Sequence, residues 1–428
     1  MRNASGAAAE GPEWLGAQVA AEMARMRHAG FRPDGEDEAM LRASLAGAQR
    51  RAELSVVAGD AQVDELALQA LRTAEILEGT GLEGYVADPE VTDINVNGPD
   101  LVHVSYRDGT RRRVRPLVGS AEELEAMIRL IARRAGTPIE GSPTEVDISL
   151  PGGSRMTAAL GKVTPWPVLA IRVHHTVDVV RADLVRWGML TGDLSELLAG
   201  LARARRNLVI GGGTGCGKTT MMAAWAREIP TDERIVTVED TYELGLYLDG
   251  IHHNVVPLRT CRANVEGVGE VTMAALTRLA LRLDPDRVVV GEVRGGECVS
   301  LLDAMSQGND GSCCTIHASS AMQIFTRLAK YASRAPEAPR REDMMYDIAD
   351  AVDVVIHIGR RRSDKRRVVR SVREVTGSVE SQVPASRELW ASTGEGIAAR
   401  TDVRLSADLE EDLRAAGVDP AVLAPRGR

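Results

Sequence analysis

The spacing of hydrophobic positions changes three times along this chain. From about Trp14 to Leu82 the sequence is rich in Ala, Leu, Glu and Arg and poor in Pro. Leu66, Leu68, Leu71 and Ile76 fall at loosely helical spacing, so residues 14–82 read as a small helical bundle behind a polar, disordered lead at 1–13. Beyond Val86 the period shortens. Val91, Ile94 and Val96, then Leu101, Val102 and Val104, read as short strands with Asp108-Gly109 at a hairpin turn. Ser120 and Glu123 form a capping box; Leu124, Met127, Ile128, Ile131 and Ala132 then share one helical stripe, and Gly136 stops it. More strands turn at Pro151-Gly152-Gly153 and finish at Val168–Val173. Short mixed strands around one helix predict a small α+β domain over 83–178.

After a linker at 179–188, apolar strand, Gly-rich turn and helix repeat to about Gly377. That is the pattern of a parallel α/β domain, spanning 189–378. Residues 379–428 carry Ser, Gly and Pro and read as a C-terminal tail with a short amphipathic helix near Leu409–Ala416. Composition agrees with a soluble, multidomain chain: 428 residues with 44% hydrophobic and 26% charged side chains are neither disordered throughout nor a disulfide scaffold, since only five are cysteines. No apolar run reaches the roughly 18 residues of a spanning helix. The opening residues are too weakly apolar for a signal peptide. A cytosolic location follows as the expectation, with any membrane contact made through partners. A net charge of −9 argues against coating nucleic acid. Of the 52 basic side chains only four are lysines, Lys162, Lys218, Lys330 and Lys365, so the position of each is informative.

Lys218 falls in Gly212-Gly213-Thr214-Gly215-Cys216-Gly217-Lys218-Thr219, which satisfies the phosphate-loop pattern G-x-x-x-x-G-K-[ST]. The apolar strand Asn207–Ile210 precedes it and a helical stretch from Thr219 to Glu228 follows, as the chemistry requires. Glycines let consecutive N–H groups turn toward a phosphate, and the helix start adds partial positive charge. Lys218 would then reach the β- and γ-phosphates of a bound nucleotide, and Thr219, followed by Thr220, would hold Mg²⁺. A chance match in a Gly-rich chain is the bland alternative; strand, helix and rare lysine together speak against it. Two acidic positions end apolar strands: Glu239, with Asp240, after Ile235–Val238, and Glu292 after Arg287–Gly291. Beyond the carboxyl ends of parallel strands both would face the loop, although either could merely cap the turn that follows. Arg294 lies on the same edge. Arg278 and Arg282 read as a solvated helix face, His317 alone as a structural histidine, and Arg360–Arg362 with Lys365–Arg367 as the charged tip of a hairpin. The cysteines have no metal-ligand spacing. Cys216, inside the loop, is expected to have a lowered pKa and to make hydrolysis sensitive to thiol modification.

Five ordered segments, Gly211–Thr220, Arg234–Thr241, Asn264–Gly267, Pro285–Glu297 and Thr315–Ala318, resemble the type II/IV secretion-system ATPases, nearest the TadA/CpaF-like branch of tight-adherence pili. Upstream, Ala87–Gly98 and Gly153–Thr157 resemble the N-terminal domain of that family. The resemblance implies a RecA-like P-loop ATPase domain behind the α+β domain. Glu292 would activate the attacking water, Glu239 assist at Mg²⁺ or at water, and His317 sense the γ-phosphate, which reverses the reading of His317 taken alone. It also sets Arg155 and Arg172 beside arginines that approach nucleotide phosphates. It further implies hexameric rings that turn ATP hydrolysis into domain rotation, working at the inner face of the cell membrane with platform proteins of a pilus or secretion system. Cys216 departs from the usual Ser of the loop, and Leu258–Arg262 is displaced from a usual Leu-Glu-Thr-Arg. A conjugative DNA-transfer ATPase shares every motif. A non-hydrolysing, nucleotide-gated assembly protein would have no need of both glutamates, and a DNA-packaging motor is discouraged by the negative charge.

Overall fold

The computed structural model describes residues 72–425 apart from 89, 107–109, 138, 140, 142–143, 174–178, 249, 262–268 and 337–338. The lead, the Asp108-Gly109 turn, Asn264–Gly267 and nearly all of the expected helical bundle lie outside the described residues; at the end of that stretch 72–77 are helical. The chain divides at 175/176 into two compact units.

In the first unit the helical residues 72–77 are followed by a short helix α1 (Glu83–Ala87). A six-stranded antiparallel sheet follows, built from β1 (Val91–Asn97), β2 (Val102–Tyr106), β3 (Arg111–Val114), β4 (Glu145–Ser149), β5 (Arg155–Ala159) and β6 (Val168–Arg172), in the order β3-β2-β1-β6-β5-β4. Alternation puts Ile94, Val96, Met156, Ala158, Leu169 and Ile171 on one face, where they form one core with the stripe Leu124, Met127, Ile128 and Ile131 of α2 (Ala121–Arg134). Each fully buried Ile or Leu of this layer contributes about 1.5–3 kcal/mol. Ser120 Oγ accepts the Glu123 N–H at 3.2 Å, but Glu123 reaches back to the Gly119 N–H at 2.7 Å, one residue earlier than a capping box closes. At the other end Gly136, at φ +76°, lets Gly136 and Thr137 donate to Arg133 and Ala132, so the last carbonyls are satisfied and the helix stops.

The second unit is a three-layer α/β/α sandwich. Its helices are α3 (Arg181–Arg186), α4 (Gly192–Arg203), α5 (Lys218–Ala226), α6 (Met273–Ala280), α7 (Glu297–Ser306), α8 (Ala321–Ala332), α9 (Arg341–Ala351), α10 (Ala407–Ala415) and α11 (Pro420–Leu423). Its strands are β7 (Leu208–Gly212), β8 (Ile235–Glu239), β9 (Val255–Arg259), β10 (Arg287–Val293), β11 (Cys313–His317), β12 (Val354–Arg360), β13 (Arg367–Glu380), β14 (Val383–Ala391) and β15 (Ala399–Arg400). Six strands run parallel in the order β12-β7-β11-β10-β8-β9, and β13, β14 and β15 extend the sheet antiparallel beyond β12. Apolar side chains alternate between the two faces. Leu208 and Ile210 pack with Leu197, Met222 and Trp225 on one side, and Val209 with Leu301, Phe325 and Ile348 on the other. Strands buried on both faces read as continuous apolar runs, which is why they were visible in the sequence. This is the architecture of a RecA-like P-loop domain. Among the described residues no helix is long and apolar enough to cross a membrane.

Two stretches differ from expectation. The presumed linker 179–188 folds as α3, with Val179 and Leu184 buried in the sheet core. The described part of the expected tail, residues 379–425, is folded into the domain. β14 pairs with β13, Trp390 is fully buried, and Leu409, Leu413, Val418 and Leu423 join the same core as α4. The backbone of α4 passes so close to this segment that any Cβ on Gly200 would strike Val418.

Candidate active site

Parallel pairing lines up four strand ends. β11 lies between β7 and β10, with His317 in register with Gly212 and Ile316 with Val293; β8 flanks β10, with Val238 in register with Val290. The carboxyl edge of the sheet therefore carries, side by side, the start of the phosphate loop, His317, Glu292 and Glu239. This is where open α/β sheets bind ligands.

The loop between β7 and α5 folds as its glycines dictate. Gly215 at φ +66° and Gly217 at φ +93° are left-handed, a conformation that costs other residues steric strain. A Cβ on Gly212 would strike Cys216 Sγ and come within 2.6 Å of the Ile358 carbonyl oxygen, whereas one on Gly213 would meet nothing within 4 Å. The loop is thus tightly packed at its root and open at Gly213, Thr214 and Gly215, which are exposed. Lys218 is buried, and its Nζ donates to the Gly213 carbonyl at 3.3 Å, so the ammonium lies across the mouth of the loop. Thr219 and Thr220 sit half-buried in the first turn of α5.

Opposite the loop, Glu292 meets two groups, Arg294 and His317. Arg294 donates to its Oε2 from Nε at 2.7 Å and Nη2 at 2.5 Å, and also reaches Asp240 at 3.3 Å. His317 Nε2 lies 2.6 Å from Glu292 Oε1, an oxygen shielded from solvent that accepts no hydrogen bond from any described residue. A buried carboxylate oxygen without a hydrogen bond is costly unless a ligand or water completes it. Burial holds the His317 imidazole below its usual pKa; Glu292 pulls the other way, and the nearby cations Lys218, Arg294 and Arg327 add to the depression.

Glu239 is placed differently. Its carboxylate is buried, with Oε2 accepting the N–H groups of Glu243 at 2.7 Å and Leu244 at 2.9 Å and Oε1 accepting the Thr237 hydroxyl at 3.3 Å. Burial raises its pKa to about 7, against the pull of those backbone bonds. In this arrangement it caps the turn after β8, the blander of the two roles the sequence allowed. Cys216 overturns the expectation of an acidic thiol. It is only 2% exposed, and burial pushes its pKa up more strongly than Lys218 and Arg367 pull it down. Arg278 and Arg282 are exposed on α6 and its following turn. Arg155 and Arg172 face each other across β5 and β6, and Arg172 pairs with Asp93 at 3.3 Å. They belong to the first unit, the phosphate loop to the second. Arg360, expected only as part of a charged hairpin tip, stands at the end of β12 and donates to the Gly215 carbonyl at 2.7 Å, a contact set by the pairing of β12 with β7.

Residues and ligand fit. Left-handed glycines at 215 and 217, the exposed loop residues Gly213–Gly215, a buried ammonium and one carboxylate oxygen without a hydrogen bond suit a nucleoside triphosphate. Among the described residues no cluster of His, Cys, Asp and Glu could hold a metal unaided. A Mg²⁺ at Thr219 would therefore take most of its oxygens from phosphate and water, as Mg²⁺ commonly does.

Fold and site define a P-loop ATPase. The family described as "Type II/IV secretion system protein" matches residues 79–405, and the chain belongs to it. A putative conjugal transfer protein of Mycobacterium tuberculosis is 36% identical over 325 residues, covering 73% of this chain and 90% of that protein. VirB11 of Agrobacterium fabrum is 27% identical over 301 residues, covering 64% and 86%. Among solved structures, the VirB11 ATPase of the Brucella suis type IV secretion system is 26% identical, with 70% and 97% covered and a TM-score of 0.37.

Proposed function

We propose that this chain is the ring-forming ATPase motor of a Tad-type pilus or a related secretion apparatus, with ATP as substrate and Mg²⁺ as its metal. The observation that carries this reading is the Oε1 of Glu292, buried without a hydrogen bond and covered by His317 at 2.6 Å, on the strand edge that also carries the phosphate loop. Lys218 holds phosphate charge, and the loop N–H groups fix the β-phosphate. Glu292, oriented through its other oxygen by Arg294, takes the attacking water at Oε1 and accepts its proton. His317 lies between loop and carboxylate and registers the γ-phosphate. Glu239 keeps the β8 turn in shape and supports the metal's water shell. Mg²⁺, when bound, neutralises charge on the β- and γ-phosphates. A protein that only bound ATP would gain nothing from an unfilled carboxylate oxygen at this point.

The TadA/CpaF assignment rests on the motif segments quoted above. Six copies in a ring, a location at the inner face of the cell membrane, platform proteins as partners and nucleotide contacts from Arg155 and Arg172 complete it. A second reading, an ATPase for conjugative DNA transfer, is favoured by the similarity to the putative conjugal transfer protein of Mycobacterium tuberculosis. Two measurements test the proposal. Turnover per chain should rise with protein concentration as six-chain species appear by mass; a monomer with constant, full activity would overturn the ring. Disrupting the gene should abolish surface pili and leave DNA transfer intact; the opposite result would select the second reading.

A further inference from the structure

The parallel sheet gives the phosphate loop two neighbours. On one side β11 and β10 bring His317 and Glu292; on the other, β12 pairs with β7, and β12 and β13 form a hairpin whose last cross-strand pair is Arg360 and Arg367. That pair meets the loop at both of its left-handed glycines. Arg360 Nη2 donates to the Gly215 carbonyl at 2.7 Å. The Cδ of Arg367 lies 3.3 Å from the place a Cβ on Gly217 would take. A loop that turns its N–H groups toward a phosphate must turn carbonyls the other way, and these then need donors. Gly213, Thr214 and Gly215 are exposed, and the Gly215–Cys216 peptide is otherwise held by the long bond from the Cys216 N–H to the Gly213 carbonyl at 3.4 Å, so Arg360 supplies its shorter, charge-assisted anchor. A charge-assisted bond from a guanidinium is among the stronger ways to fix a peptide plane.

We infer that Arg360 is a positioning residue for nucleotide binding: through the Gly215 carbonyl it holds the phosphate loop in its phosphate-receiving form, with Arg367 buttressing Gly217 from the opposite strand. The positive charge of the pair adds to that of Lys218, and the field of Arg367 is felt at Cys216 inside the loop. The exposed hairpin turn at 361–366 is thereby tied to the occupancy of the loop. This inference rests on the nucleotide-binding reading above and adds to it a residue outside the loop motif.

The test compares the full chain with Arg360→Gln and Arg360→Lys, using ADP binding by calorimetry, ATP turnover, and melting with and without Mg·ADP. Arg360→Gln should weaken ADP binding and raise the KM for ATP about tenfold, leave kcat at saturation within about twofold, and melt like the parent when nucleotide is absent. Arg360→Lys, which keeps a cationic donor, should recover part of the affinity. Parental affinity in Arg360→Gln would overturn the inference, as would a loss of kcat at unchanged KM, which would place Arg360 on the reacting phosphate. If the parent itself bound no nucleotide, the functional reading would fail first, and the two failures are thereby distinguished.

Discussion

Strand β10 begins at Arg287 and nearly ends at Glu292, and its two charges live in opposite circumstances. Arg287 is fully buried, forked onto Glu233 at 2.6 and 2.7 Å, with a further bond to the Ala202 carbonyl at 2.6 Å. Around it Asn207 uses both amide donors on Met305 and Ala351 and its oxygen on Gly311 and Ser312, while Arg206 bonds Asp353 at 2.7 Å. At the amino edge of the sheet these polar groups bind one another, and together they cross-link β7, β10, β11 and β12. At the carboxyl edge Glu292 keeps one oxygen open, His317 touches it without bonding, and Lys218 spends its charge on a loop carbonyl. Saturated buried ions hold a fold in one arrangement; ions left incomplete await a ligand. The same strand serves both purposes at its two ends.

Breaking the amino edge should cost the most stability. Arg287→Ala strands Glu233 with only Arg205 and should lower unfolding free energy by about 3–5 kcal/mol in urea titrations; a loss below about 1 kcal/mol would mean that the network is ornamental. Glu239 offers a graded case. Its carboxyl, raised to about 7 by burial, keeps its proton in the native state where the unfolded chain has already lost it. Native stability should therefore decline as pH rises from about 4.5 to 7 and level off above, by about 3 kcal/mol in all. Glu239→Gln retains an acceptor for the Glu243 and Leu244 N–H groups and should not show that decline. Parallel pH curves for parent and variant would contradict the assignment.

Smaller effects sharpen the comparison from the carboxyl edge. His317→Ala removes a side chain with no hydrogen bond and 39% exposure, so it should change stability by less than about 1 kcal/mol while turnover falls at least about tenfold. Equal losses of stability and activity would make His317 part of the scaffold. The smallest effect concerns thiols. Cys261 is exposed and the other four cysteines are buried, with burial raising Cys298 to about 12. Brief alkylation should label Cys261 first and leave turnover largely intact, and Cys261→Ser should remove the fast phase. Rapid inactivation through Cys216 would restore the reactive loop thiol that burial argues against.

Most of the carboxyl edge was legible in the sequence because its parts are local. A phosphate loop needs a strand, glycines and a lysine in one contiguous run, and Glu292 and His317 each end an apolar strand, so parallel pairing alone brings them together. What was missed depends on contacts between distant segments. Ser, Gly and charged residues over 379–428 imitate a tail, yet β14 pairs with β13 and buries Leu389 and Trp390 side by side, and the indole N–H of Trp390 finds Asp193 at 3.1 Å. Whether Cys216 is open to reagents depends on Gly212 packing over it. The bond from Arg360 to Gly215 needs the β12–β7 register, which no local spacing encodes.

The central claim is that Lys218 binds phosphate while Glu292 works on water, and one paired measurement tests it most directly: ATP affinity and single-turnover hydrolysis in Lys218→Ala and Glu292→Gln. Lys218→Ala should bind ATP far more weakly. Glu292→Gln should bind ATP within a few-fold of the parent yet hydrolyse it slower by about 10²–10⁴. If the two variants lose affinity equally, or if Glu292→Gln turns over ATP near the parental rate, the open carboxylate oxygen is not where the water is activated, and the account fails.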